Sequence, residues 1–117
     1  MTIKLVIPRL PESWNKLKNW GKRHRLTGEW QHDIYYSAYA QGVKATIPER
    51  ACVRITCYFP TKRRRDPSNY LSKSMIDALV NNGFLKDDDQ AHCIIEEPRL
   101  LVDTKNPRTV IEVEEIA

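Results

Sequence analysis

Between residues 51 and 84 the chain changes period once, and that change limits what the fold can be. Val53, Ile55, Cys57 and Phe59 alternate with Cys52, Arg54, Thr56 and Tyr58, a period-two pattern that predicts a half-buried strand ending near Pro60. Leu71, Met75, Ala78 and Leu79 then recur at helical spacing, with Ile76 on the margin of that stripe and Lys73, Asp77 and Asn81 on the other side. The switch falls at Asp66-Pro67. Proline pushes the preceding residue out of the α region, so Asp66 is expected to be extended, with Ser68 or Asn69 capping the helix that follows. Gly83 supplies a left-handed residue to end that helix, and Phe84 is placed to pack back on it.

The rest of the chain fits one domain around this unit. At 117 residues there is enough chain for a single core. Ile3 to Ile7 reads as a first strand stopped by Pro8 and Pro11, and residues 12–28 as a long polar loop. A helix is expected from about Glu29 to Lys44, with Trp30, Ile34, Ala38 and Gln41 on one face. Tyr35, Tyr36 and Tyr39 flank that face as core or subunit contacts. Ala91 to Val102 alternates in a blurred way, with Pro98 marking an edge or a bulge. Residues 103–108 read as a turn, and Thr109 to Ile116 as a closing strand. The expected order is β, loop, α, β, α, β, β. That is an α/β fold, a small mixed β-sheet packed with two helices, ending in an antiparallel hairpin.

Composition narrows the function. The net charge of +4 is modest, so its distribution matters more than its sum. Nine of the 19 Lys and Arg fall in two windows: Lys16, Lys18, Lys22, Arg23 and Arg25, then Lys62, Arg63, Arg64 and Arg65. Trp14 and Trp20 lie among the first set, with Asn15 and His24. Indoles can stack on splayed bases while cations take phosphates, so both windows are candidates for nucleic-acid contact. The plainer reading is a solvated face, with Trp14 pinning the loop to the core. Cys52, Cys57 and Cys93 have no C-x-x-C spacing and cannot all pair, which argues against a zinc site and for reduced, buried thiols in the cytoplasm. The apolar run Leu5 to Ile7 is too short for a signal peptide or a membrane span.

The second basic window runs directly into Asp66, and the helix after it leads to Asp87, Asp88 and Asp89. Cations that hold a polyanion beside carboxylates that hold Mg²⁺ are what a metal-dependent enzyme acting on a phosphodiester requires. Taken singly, Asp66 could be a turn-former, Asp77 a surface partner of Lys73, and Asp87 to Asp89 a solvated loop. The sequence R-R-R-D-x-x-N, the helix ending D-A-L-V-N-N-G and the following D-D-x-Q together resemble the RusA-like endodeoxyribonucleases, Holliday junction resolvases common in prophages. The match is dense over residues 62–90 and looser elsewhere, where P-x-S-x-N and the basic loop after it are similar to the family.

That resemblance implies a RusA-like fold, a metal-dependent endonuclease acting on four-way DNA junctions in recombination and repair, and a homodimer to make paired cuts. It implies Asp66 and Asp88 as catalytic metal ligands with Asp87 beside them, holding Mg²⁺ or Mn²⁺. Asn69 matches the motif asparagine and joins the DNA-binding set. Lys73, if it points into the cleft, adds a cation for the phosphate or the leaving oxygen. Two positions depart from the pattern: Ser68 stands where the family has a second aspartate, and the motif lysine comes one position late, with Ser72 in its place. Two other functions stay open, a branched-DNA-binding module weakened in catalysis by Ser68 and a nuclease for flaps or forks.

Overall fold

The computed structural model describes residues 2–13, 20–70 and 73–116. The expectations placed on Trp14, Asn15, Lys16, Lys18, Leu71 and Ser72, and on the side chains of Trp20 and Arg23, lie outside the described residues. Among the described residues five strands and two α-helices follow in order: β1 (Thr2–Ile7), α1 (Trp20–Gln41), β2 (Ala51–Phe59), α2 (Lys73–Asn81), β3 (Cys93–Ile95), β4 (Arg99–Val102) and β5 (Arg108–Glu115). The small mixed sheet and two helices are those expected.

β2 is the centre of the sheet. β5 runs antiparallel along one of its edges, from Ala51↔Glu115 to Tyr58↔Arg108, while β3 and then β4 lie parallel along the other. β1 pairs antiparallel with the far side of β5. The register stacks Val53 on Val113 and Ile55 on Ile111, so Ala51, Val53, Ile55, Cys57 and Phe59 face the helices in one core with Leu5 and Ile7. The other face of β2 is more covered than a half-buried strand allows. Cys52 and Thr56 are buried there because long side chains lie over them: Arg54 reaches Glu96 at 2.9 Å and Glu114 at 3.0 Å, and Arg108 stacks on Tyr58. All three cysteines are unpaired and buried, as expected. Burial raises the pKa of the Cys57 thiol to about 12, which leaves it protonated and unreactive.

The closing hairpin is not there. β5 does not pair with β4 but inserts between β1 and β2. Asp103 turns the chain: its amide donates to the Phe59 carbonyl, and its carboxylate accepts from the Lys105 and Asn106 amides and from Arg108. The strand is thereby carried across the end of β2, whose second edge would otherwise have been buried without partners. The segment before it is two short strands, interrupted around the buried Pro98. Proline has no amide to give a ladder, and both pieces lie on the sheet edge.

α1 begins nine residues earlier than expected, so residues 20–28 are helix rather than loop. Leu26, Trp30, Ile34 and Ala38 form its buried stripe at four-residue spacing. Only Leu26 marks that stripe within residues 21–28, too little apolar signal to stand out among cations. Gly42, at φ +67°, ends the helix short of Lys44. Arg9 ties the end of β1 to α1 through Glu29 at 3.1 Å and Asp33 at 3.0 Å, and Gln41 bonds both the amide and the carbonyl of Val6 on the open edge of β1.

Over the described residues α2 is Lys73–Asn81. Pro67–Asn69 form a 3₁₀ turn, and its cap is Asp66 itself, extended at φ −94°, ψ 120°. Ile76 is buried rather than marginal, and Ser74 is buried beside it. The helix terminates as predicted: Gly83 is left-handed at φ +80°, Phe84 N donates to Leu79 O, and the Phe84 ring is buried. This termination turns the chain back, so that Asp87 and Asp88 return alongside α2.

Candidate active site

Lys73, the first residue of α2, meets the returning loop. Its Nζ lies 2.8 Å from Asp88 Oδ2 and 3.5 Å from Asp77 Oδ1, one helical turn on. The salt bridge to Asp77 expected of a surface Lys73 is present, and a second one, to Asp88, joins it. The hydrogen bond from Lys73, and then its charge, hold the Asp88 carboxyl below its ordinary range. The bond to Asp88 and the charge of Asp77 in turn raise Lys73. Asp87 shapes the loop, its carboxylate accepting from the Asp88 amide at 2.7 Å. An ammonium between two carboxylates marks a place of negative potential where a cation is at home.

Asp77, Asp87 and Asp88 share an open pocket of about 320 Å³ with Val80, Asn81 and two residues of α1, His24 and Thr27. Its position is fixed by a polar clamp between the helices, where Gln31 accepts from Asn81 at 3.1 Å through its side chain and from Asn82 at 3.0 Å through its carbonyl. Sequence reasoning missed His24 and Thr27 as site residues because it placed them in a loop, where no face can be assigned. Carrying the stripe back one turn from Trp30 to Leu26 would have put them on the side of α1 that faces α2.

Beyond the pocket, Asp87, Asp89 and His92 bring one ligand atom each within 4.8 Å of one another, with His92 Nδ1 2.5 Å from Asp89 Oδ1. His92 carried no expectation from the sequence. Asp66 lines neither this group nor the pocket. Its Oδ1 accepts from the Ser68 amide at 3.0 Å and from the Ser68 hydroxyl at 2.9 Å. Ser68 therefore presents its side chain directly to Asp66.

The basic run divides in two. Lys62, Arg63 and Arg64 are exposed, whereas Arg65 builds the loop. Its guanidinium donates to Thr61 O and Oγ1, both at 2.9 Å, and stacks 4.0 Å over Phe59. Asn69 is half-buried, and its amide donates to Asp66 O in the same turn. In the first window Lys22 and Arg25 sit on α1, Lys22 within 3.6 Å of Glu12 and Arg25 exposed.

Residues 1–114 match the sequence model of the family described as Endodeoxyribonuclease RusA. The chain belongs to that family. No curated protein matches it. The family match covers nearly the whole chain, well beyond the dense motif of residues 62–90, and so includes β1, α1 and all but the last residue of β5. No helix among the described residues is long and apolar enough to cross a membrane.

Proposed function

We propose that this RusA-family chain is a divalent-metal-dependent endodeoxyribonuclease that resolves four-way DNA junctions. In this reading it works as a homodimer, in the cytoplasm, in recombination and repair. The observation that carries the reading is the joining of Lys73, Asp77 and Asp88 at one edge of an open polar pocket, in a chain of this family.

The donors suit the metal. Asp87 and Asp88 offer hard carboxylate oxygens, the ligand type that Mg²⁺ and Mn²⁺ take, and Asp66, which lines neither the pocket nor the group of Asp87, Asp89 and His92, would have to join them on metal binding. Such an ion, when bound, supplies Lewis acidity at the phosphate and lowers the pKa of a coordinated water. The protein's own groups do the rest. Lys73, as a cation held above its ordinary pKa, neutralises Asp77 and Asp88 without the ion and is positioned to turn to a phosphate oxygen with it. Lys62, Arg63 and Arg64, with Lys22, Arg23 and Arg25 and with Lys16 and Lys18 before them, would take the backbones of the junction arms. Asn69 would hold the turn that carries Asp66. Junction geometry is read by shape and phosphate position, which needs no base contact.

The Ser68 hydroxyl against Asp66 favours a second reading as its specific alternative, a branched-DNA-binding module with little cleavage. One substitution separates them. Ser68→Asp sets a second carboxylate beside Asp66, so it should lower the metal concentration for half-maximal junction cleavage by about tenfold, the scale of ligand-environment effects on metal affinity. Without metal it should lower the melting temperature slightly, because two adjacent carboxylates repel. An unchanged metal requirement would place the missing ligand elsewhere, at Asp87 or Asp77. If neither form cuts branched DNA while both bind it, the binding-module reading stands.

A further inference from the structure

We propose that α1 forms the second wall of the DNA cleft, with a phosphodiester strand passing closely over Gly28 and held by His24 and Thr27 beside it. The proposal rests on the reading of the acidic pocket as the place where DNA is cut.

Gly28 is a glycine that its described neighbours leave unexplained. It lies inside α1, eight residues from its start and thirteen from its last residue, where glycine is a worse helix former than any residue but proline. The other two glycines with described side-chain space have backbone reasons: Gly42 and Gly83 are left-handed, at φ +67° and +80°. Gly28 is not left-handed, and a Cβ built on it would meet nothing within 4 Å. No neighbour among the described residues requires the missing side chain. Space for close approach from outside is what a glycine provides at such a position.

Its place on the helix says what approaches. His24 is one turn before Gly28, on the same face, and Thr27 is adjacent to it. His24 and Thr27 line the pocket that holds Asp77, Asp87 and Asp88. The Gln31 clamp to Asn81 and Asn82 fixes this face of α1 against α2. Arg25 is exposed on the same turn. A bare stretch of helix beside an imidazole and a hydroxyl that share a pocket with carboxylates suited to a divalent ion fits a sugar–phosphate backbone. The helix amides around Gly28 are already bonded within α1, so the contact there is steric closeness, and the hydrogen bonds come from His24 and Thr27.

The test is a pair of substitutions at Gly28 in the full chain, read by melting temperature and by affinity for a synthetic four-way junction in chelator. Gly28→Ala and Gly28→Leu should each raise the melting temperature, by about 3 °C, because both are better helix formers and the site is open. Gly28→Leu should nonetheless bind the junction about tenfold more weakly, with a smaller loss for Gly28→Ala. Stability and affinity moving in opposite directions is not what a purely structural glycine gives. A Gly28→Leu protein that binds and cuts as wild type does overturns the proposal. A scan of neutral methylphosphonates along the junction adds a second arm: one position should weaken wild-type binding and lose that effect in His24→Ala. If every position keeps its effect in His24→Ala, the assignment of His24 fails. Wild-type protein that binds the junction but never cuts it contradicts the nuclease reading alone, since the affinity loss at Gly28 still decides whether α1 touches DNA.

Discussion

Asp88→Asn is expected to reduce junction cleavage by about a hundredfold to a thousandfold, the kinetic equivalent of losing several kcal/mol of metal-supplied stabilisation. Junction affinity should stay equal or rise slightly, because the change removes a negative charge facing phosphate. The fold should survive. Asp88 and Lys73 are both substantially exposed, and an ion pair of that kind contributes about 1 kcal/mol or less. Single-turnover cleavage and equilibrium binding measured on the same protein separate the two effects. A mutant that cuts at the wild-type rate would reduce the 87–89 segment to a solvated loop.

The second large effect is on binding. Arg63→Ala with Arg64→Ala should weaken junction binding equally at every sequence and flatten its salt dependence by about two units of log–log slope, one for each lost phosphate contact. Arg65→Ala should behave differently, because its guanidinium is spent on Thr61 and Phe59. Its loss should lower stability first and change the salt slope least. A slope unchanged in the Arg63, Arg64 double mutant would mean that the run does not touch DNA. A slope that moves most with Arg65 would mean that the loop rearranges on binding.

These expectations combine what the sequence makes plain with what only three dimensions supply. The period-two run of β2, the proline after Asp66 and the glycine that ends α2 are local signals, and each acts within a few residues of where it is written. They were enough to predict that the chain turns back after α2; that Asp88 then meets Lys73 is supplied by the structure. The start of α1 was not legible, because Leu26 is the one apolar residue of its buried stripe within residues 21–28, and a segment so rich in cations looks like a charged loop. Reading it as loop hid His24 and Thr27 from the site. The position of β5 was not legible for a different reason. Alternation in Val110, Glu112, Ile111 and Val113 says that a strand has two faces, but nothing local says which edge of β2 it fills. The division of labour within the cationic run was equally hidden: Arg63, Arg64 and Arg65 are the same residue type, and only the Phe59 ring and Thr61 tell the third from the others.

The central claim, that this RusA-family chain resolves junctions with a metal held by its aspartates, is tested most directly by one comparison. A synthetic four-way junction and a linear duplex of the same sequence are incubated side by side with Mg²⁺, with Mn²⁺ or with chelator. The account predicts paired, symmetric cuts in the junction with either metal, an intact duplex, and no cleavage in chelator. Equal cutting of junction and duplex, or cutting that persists in chelator, would contradict it.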